Sequence, residues 1–327
     1  LYGRSLLRIA DLSDEELLSL IELSVALKAR RRAGVRGNLL ERRQVALIFE
    51  KSSTRTRNAA SVAIRDEGGA AEYLTKNDIH LGSKESVKDT ARVLGRMFDG
   101  ILFRGFSQNT VATLAAFSGV PVWNGLTDDY HPTQILADLM TIQENFGRLK
   151  GLKVAFVGDG RNNVANSLML GCAKAGVHYV NCTPAELMPE PALVAQARES
   201  AARHGATVEI CSDPVKGVSG ANVLYTDVWV SMGEEAQKET RLRLLRPYQV
   251  NAALVKATGN AGGELIFLHC LPAFHDFETA VTAESGALEV TDEVFEAPYS
   301  KVFDEAENRM HTIKALYVSA LTDLSAL

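Results

Sequence analysis

Apolar positions in this chain fall into short runs, and the stretches between them carry helical spacing. Over 12–30, Leu17, Leu20, Ile21, Val25 and Leu27 form one stripe, which predicts a helix, and Ser13 with Glu16 offers a capping box at its start. Apolar runs at 45–49, 100–103 and 121–123 predict strands; between them 51–57 reads as a loop leading into a helix towards 66, and 86–98 and 109–117 carry helical patterns. A helix over 133–146, with Ile135, Leu136, Leu139, Met140 and Ile142 on one side, closes this first series. A second series starts with a strand at 153–157. It runs through a helix at 163–175, a strand at 177–181, a helix at 191–204 and strands at 207–210, 223–225 and 265–268. A final helix from about 306 puts Met310, Ile313, Tyr317, Leu321 and Leu324 on one face. No internal repeat of 20–50 residues is visible.

Alternating strands and helices predict parallel sheets covered by helices on both faces. The expected fold is α/β, with two doubly wound, Rossmann-like domains hinged near 147–151. The first takes 1–147 plus the returning C-terminal helix, about 306–327, and the second takes 148–305. Ligands of such sheets bind beyond the carboxyl ends of the strands. Chemistry should therefore be sought just after the apolar runs.

Composition narrows the class. The 327 residues are 46% apolar and 23% charged, an ordinary globular mixture. With 35 Lys and Arg against 40 Asp and Glu, the net charge of -5 disfavours nucleic acid or an anionic membrane as partner, while a local cationic pocket is compatible with it. The four cysteines, Cys172, Cys182, Cys211 and Cys270, make no CxxC pair and read as reduced thiols of a cytoplasmic protein. No apolar run approaches the roughly 20 residues of a membrane span. The opening residues do not read as a secretory signal; position 1 is Leu, which leaves a removed leader open.

Seven segments carry candidate chemistry. Ser52-Ser53-Thr54-Arg55-Thr56-Arg57 follows the strand at 45–49, where hydroxyls, guanidinium groups and a helix N-terminus would converge on an anion or simply cap the helix. Arg104 stands one residue past its strand. His131-Pro132-Thr133-Gln134 opens a helix, with Pro132 suited to the first turn and His131 and Gln134 on one face. The glycines of Gly158-Asp159-Gly160-Arg161-Asn162-Asn163 resemble a dinucleotide turn, but Asn163 stands where the third glycine belongs. Asp227 offers a carboxylate to a cation, and Ser231 and Met232 follow on a loop. His269-Cys270-Leu271-Pro272 ends a strand; Cys270 is a candidate nucleophile, proton acceptor or buried thiol. Glu307-Asn308-Arg309-Met310-His311 lies in the final helix, with Arg309 able to reach an anion. No His, Cys or Asp cluster shows metal-ligand spacing, so neither metal nor cofactor is expected.

Together these segments resemble the aspartate/ornithine carbamoyltransferase family, and its ornithine branch in particular. Ser53-Thr54-Arg55-Thr56-Arg57, Phe103-Arg104-Gly105, His131-Pro132-Thr133-Gln134, Asp227-Val228-Trp229-Val230-Ser231-Met232-Gly233, His269-Cys270-Leu271-Pro272 and Asn308-Arg309-Met310-His311 match in the family's order, over about 9–320. The resemblance implies a carbamoyl phosphate-binding first domain and an ornithine-binding second domain. Ser53, Thr54, Arg55 and Thr56 would bind carbamoyl phosphate, with Arg104 and His131 on its carbonyl oxygen and Gln134 on its nitrogen. Cys270, Leu271 and Arg309 would complete that pocket, and His80 would reach a neighbouring subunit's site in a homotrimer. Asn163, Asp227, Ser231 and Met232 would bind ornithine, with Arg104, His131, Asp227 and Cys270 as the catalytic set.

The implied reaction moves the carbamoyl group to the δ-amine of L-ornithine, giving L-citrulline and phosphate, in arginine biosynthesis or in the arginine deiminase pathway. Alternatives are another amine acceptor, such as putrescine or N-acetylornithine, or a non-catalytic relative that binds a metabolite. A nicotinamide dehydrogenase fails on the missing third glycine. One departure stands out. The family carries a Glu four residues past Arg57, where this chain has Ser61, within Asn58-Ala59-Ala60-Ser61. A carboxylate that would steady a nearby arginine is lost. His80 stands where some members carry Gln.

Overall fold

Strand β1 (Gln44–Phe49) buries every residue after its first, and β3 (Gly100–Arg104) buries all five. Such unbroken burial is the mark of a strand covered on both faces, which only flanking helices provide. The computed structural model describes residues 1–230 and 237–323. The chain divides into two compact units, Leu1–Met140 with Glu307–Leu327, and Thr141–Ala306.

The first unit holds a four-stranded sheet in the order β2-β1-β3-β4, with β2 at Ala70–Thr75 and β4 at Val122–Leu126. All its pairs are parallel. Helices α2 (Thr54–Asp66), α3 (Val87–Leu94) and α4 (Gln108–Ser118) make the crossovers. Helix α1 (Asp14–Arg32) starts on the expected capping box: Glu16 N–H donates to Ser13 Oγ at 3.1 Å, and Ser13 N–H donates to Glu16 Oε2 at 2.8 Å. Leu17, Leu20, Ile21 and Leu27 are buried as its stripe predicts, but Val25 is exposed. Helix α3 meets α4 at Gly95, where a Cβ would stand 1.8 Å from the Ser118 carbonyl oxygen, so only glycine fits.

Helix α12 (Val302–Leu321) begins four residues before the expected 306, and its part in the first unit is locked there. The ring of Tyr317 lies 4.7 Å from that of Trp123, and Lys314 Nζ donates to Asp66 at 2.8 Å. Helix α5 (Pro132–Phe146) runs through the division at Met140 and Thr141, which lies earlier than the expected 147. Gly147, with φ 69°, stops the helix; it does not mark the edge of the packed unit.

The second unit holds a five-stranded parallel sheet in the order β7-β6-β5-β8-β9. The strands are β5 (Lys153–Val157), β6 (His178–Cys182), β7 (Val208–Cys211), β8 (Val223–Thr226) and β9 (Ile266–His269). Helices α6 (Asn163–Lys174), α7 (Pro191–Arg203) and the short α8 (Pro214–Val218), with α9 (Lys238–Leu245), α10 (Ala252–Ala257) and α11 (Asp292–Phe295), complete it. Val157, Val180, Leu224 and Phe267 anchor its core, burial of each side chain contributing roughly 1.5–3 kcal/mol relative to leaving it exposed.

Each sheet reverses its direction of winding once. In the first unit the reversal lies between β1 and β3; in the second it lies between β5 and β8. The carboxyl ends of strands at such a reversal leave a crevice that no crossover covers. Segment 50–53 and Arg104 stand at the first crevice, and Asp159 and Asp227 at the second. Among the described residues no helix is long and apolar enough to cross a membrane.

Candidate active site

Thr56 is the hub of the first crevice. Ser53 caps α2 by accepting from Thr56 N–H at 3.1 Å, which fixes the first turn. The buried Thr56 Oγ1 accepts from Arg104 Nη1 at 3.3 Å and from Arg309 Nη2 at 3.2 Å. Arg309 also donates from Nη1 to Gln134 Oε1 at 2.6 Å and from Nη2 to Thr133 Oγ1 at 3.2 Å. Gln134 passes the connection on, donating from Nε2 to Asp138 at 2.8 Å. Strand β3, α5 and α12 thereby hold their side chains on one point.

His131 is buried beside them, 3% exposed. Burial first, and then the charges of Arg309, Arg104 and Arg55, hold its imidazole well below the ordinary range, so it is neutral. Thr133 Oγ1 lies 3.5 Å from His131 Nδ1. Thus Arg55, Thr56, Arg104, His131, Gln134 and Arg309 gather in one unit, with Ser53 and Thr54 at the mouth of the same helix. Three guanidinium groups acting on one neutral imidazole make this an anion site with a hydrogen-bonding ring nitrogen. His80 does not join it: it is exposed, on the turn after β2, where its carbonyl accepts from Ser83 Oγ at 3.0 Å.

The second crevice is built the opposite way. Asp227, next after β8, is 8% exposed. Its Oδ1 accepts from Val228 N–H at 2.8 Å and from Cys270 Sγ at 3.1 Å, and its Oδ2 accepts from Asn162 Nδ2 at 3.0 Å. Burial pushes its carboxyl above the ordinary range. Cys270 follows β9. Leu271 takes a left-handed backbone, φ 56°, and its N–H donates to His269 Nδ1 at 2.9 Å. That bond leaves the ring proton on Nε2, which faces Glu289 Oε1 at 3.2 Å. Asn163 opens α6 beside the cap residue Asn162. Ser231 and Met232 lie outside the described residues. Cys270 and Leu271, implied for carbamoyl phosphate as well, belong to this second unit.

Two features were not anticipated. Asn162 donates to Asp227 as well as capping α6, and nothing in the sequence beyond the cap position signals that second bond. Asp159 forms a buried ion pair with Arg241, and Arg241 Nε donates to the Trp229 carbonyl at 2.6 Å. This pins the chain that leaves β8. The fold also assembles ligand-type atoms that spacing did not predict: those of Asp227, His269 and Cys270 lie within 4.8 Å of one another, as do those of His275, Asp292 and Glu296. In the first group both nitrogens of His269 are already engaged, by Leu271 and Glu289. The paired glycines after β5 serve the turn itself. Gly158 has φ 143°, and a Cβ on Gly160 would stand 2.8 Å from Asn181 and Thr183.

Comparison with known proteins is consistent with this division. Residues 4–144 match the carbamoyl-P binding domain of aspartate/ornithine carbamoyltransferases, and residues 150–320 match their Asp/Orn binding domain. The catabolic ornithine carbamoyltransferase of Bacillus licheniformis is 56% identical over 330 residues, covering 99% of this chain and 98% of its own. That of Enterococcus faecalis is 55% identical over 328 residues, covering 98% and 97%. Among solved structures, ornithine carbamoyltransferase from Pyrococcus furiosus superposes with a TM-score of 0.91 at 43% identity, covering 98% of this chain and 97% of its own. The Giardia lamblia ornithine transcarbamoylase does so with 0.85 at 32% identity, covering 98% and 99%.

Proposed function

The chain belongs to the aspartate/ornithine carbamoyltransferase family, and we propose that it moves the carbamoyl group between carbamoyl phosphate and the δ-amine of L-ornithine, with L-citrulline and phosphate on the other side. The observation that carries this reading is the convergence of Arg104, Gln134 and Arg309 with Thr56, around a neutral His131. An acyl phosphate presents two or three anionic oxygens and one carbonyl, and this cluster offers guanidinium donors for the first and a neutral ring for the second. Ser53, Thr54, Arg55, Thr56 and Arg309 hold the phosphate. Arg104 and His131 meet the oxygen that becomes negative when the carbonyl carbon turns tetrahedral. Thr133 Oγ1 accepts from Arg309 and lies 3.5 Å from His131 Nδ1; in the tautomer with Nδ1 as acceptor, the other ring nitrogen carries the proton that is donated to substrate.

In the second unit Asp227 holds the amino group of ornithine. A free amine of this kind has a pKa of about 10.4 in water and must lose its proton before it attacks. Asp227 and Cys270, already sharing a hydrogen bond, orient the amine and take that proton. Asn163, Ser231 and Met232 complete the grip on ornithine, and His80 serves a neighbouring copy in a trimer. The word catabolic in the names of the curated relatives supports a working direction from citrulline and phosphate towards ornithine and carbamoyl phosphate, as in arginine breakdown.

The test is a steady-state assay in both directions with ornithine, putrescine and N-acetylornithine. Citrulline formation should dominate, and citrulline should be cleaved by phosphate. A larger kcat/KM with either rival amine overturns the substrate; absence of turnover with all three overturns catalysis.

A further inference from the structure

Gln134 stands between two partners of opposite kind. At one end Arg309 Nη1 donates to its Oε1 at 2.6 Å; at the other its Nε2 donates to Asp138 Oδ1 at 2.8 Å. All three side chains are buried, Asp138 completely. A primary amide is nearly symmetric in shape, so its partners decide which end is oxygen and which is nitrogen. A guanidinium has donors and no acceptor, and a carboxylate oxygen accepts. The two therefore agree on one orientation, with oxygen towards Arg309 and Thr56 and nitrogen towards Asp138. Asp138 follows Gln134 by one turn of α5, so the helix itself sets their spacing. Burial of an acid costs free energy, and packing alone does not account for one at this position.

We infer that Asp138 is a positioning residue: it holds Gln134 with the amide oxygen in the anion site, and that oxygen selects an acyl phosphate bearing –NH2 over one bearing –CH3. This role rests on carbamoyl phosphate being the ligand, as proposed above, and names the residue that sets the choice. Carbamoyl and acetyl phosphate share the phosphate, the carbonyl and the shape, and differ only in the group that the amide meets. An amide oxygen has two lone pairs, so Oε1 can accept from a substrate N–H beside Arg309. A methyl group in that place gives the buried acceptor no proton, a penalty that shape alone does not supply. With the amide turned over, Nε2 would face the guanidinium and the substrate nitrogen alike, donor against donor. Asp138 acts on the substrate only through Gln134.

Phosphonoacetamide and acetonylphosphonate are stable probes that differ in –NH2 against –CH3, and calorimetry on the full chain reads their dissociation constants. The parent should bind the first about tenfold or more tightly than the second. Asp138→Leu removes the acceptor and should weaken phosphonoacetamide about tenfold, with acetonylphosphonate changed less than about twofold, so that the preference collapses. Asp138→Asn, whose Oδ1 still accepts from Nε2, should restore most of it. Equal weakening of both probes by Asp138→Leu is what a merely structural role produces, and it overturns the inference. So does a parent preference that Asp138→Leu leaves intact, and in that case the carbamoyl phosphate reading stands. A parent that binds neither probe overturns that reading, and the role of Asp138 with it. Should Asp138→Leu fail to fold, Asp138→Thr takes its place: its shorter side chain bonds back to the preceding turn, and the same collapse is expected.

Discussion

The two crevices occupy equivalent places in their sheets and carry opposite chemistry. In the first unit three guanidinium groups act on a neutral imidazole, and a threonine hydroxyl ties two of them together. In the second a buried carboxylate, raised by its burial, accepts from a thiol, an amide side chain and a backbone N–H. The same topology therefore supplies position and not charge. The reversal of winding exposes strand ends, and the two or three residues after each strand decide whether an anion or a cation is received. The comparison can be broken by substitutions that take away one kind of charge and leave the other.

The largest effect is expected for Arg309→Ala. It removes three hydrogen bonds at once, to Thr56, Thr133 and Gln134, and one positive charge from the anion site. A fall in kcat/KM for carbamoyl phosphate of about 10³-fold or more should follow, on the scale of losing a donor that meets developing charge. Ornithine-side contacts should be untouched, so retention of normal carbamoyl phosphate affinity, read by initial rates or calorimetry, would remove the clamp from the account. Next comes Asp227→Asn. The carboxylate that faces Cys270 and Asn162 becomes an amide, and kcat/KM for ornithine should fall about 10²-fold, with binding of carbamoyl phosphate to the free enzyme unchanged. Equal losses for both substrates would contradict the division of labour between the two units.

A smaller effect is expected for Cys270→Ala. Asp227 keeps two of its three hydrogen bonds, from Asn162 and Val228, so the cation site survives in part. A loss of about tenfold in kcat, at the low end of what proton transfer contributes, should be visible in steady-state rates. If the thiol only fills space, turnover and ornithine KM will match the parent.

How far these sites could be read from residues alone depends on where their partners lie along the chain. Strands β1, β3 and β5 were legible because both faces are buried and their apolar runs are unbroken. Strand β2 was not: Ala70-Ala71-Glu72-Tyr73-Leu74-Thr75 is an edge strand with no fully buried residue, so burial left no apolar run in it. The anion site was legible as separate segments, each directly after a strand or at a helix start. What stayed hidden was the joint between them. Thr56 meets Arg309 across 253 positions, and Asp159 meets Arg241 across 82, and no local pattern encodes such separations. Asn162 was hidden for another reason. Its place as a helix cap already accounts for an asparagine there, and its second bond to Asp227 adds no further sign to the sequence.

The smallest expected effect on turnover is none, and it concerns His131. Burial and three neighbouring arginines hold its imidazole well below 6.5, whereas in the unfolded chain it titrates near that value. Between 8 and about 6, then, the ring should not change charge in the native enzyme. Its ring resonances should stay constant over that interval, and any acid limb of kcat/KM there belongs to the substrate amine or to the Asp227 pair. The same shift has a definite sign in stability. Below about 6.5 the unfolded chain takes up a proton that the native chain refuses, so the unfolded state binds more protons and stability falls as pH falls. The loss should approach about 1.4 kcal/mol per pH unit once the unfolded imidazole is fully charged. His131→Gln removes that group and should flatten the acid side of the denaturation curve by this slope, with little change at pH 8. A parallel acid limb in parent and variant would mean that His131 is protonated in the folded protein, and that the first crevice receives its anion with a fourth cation instead of a neutral donor.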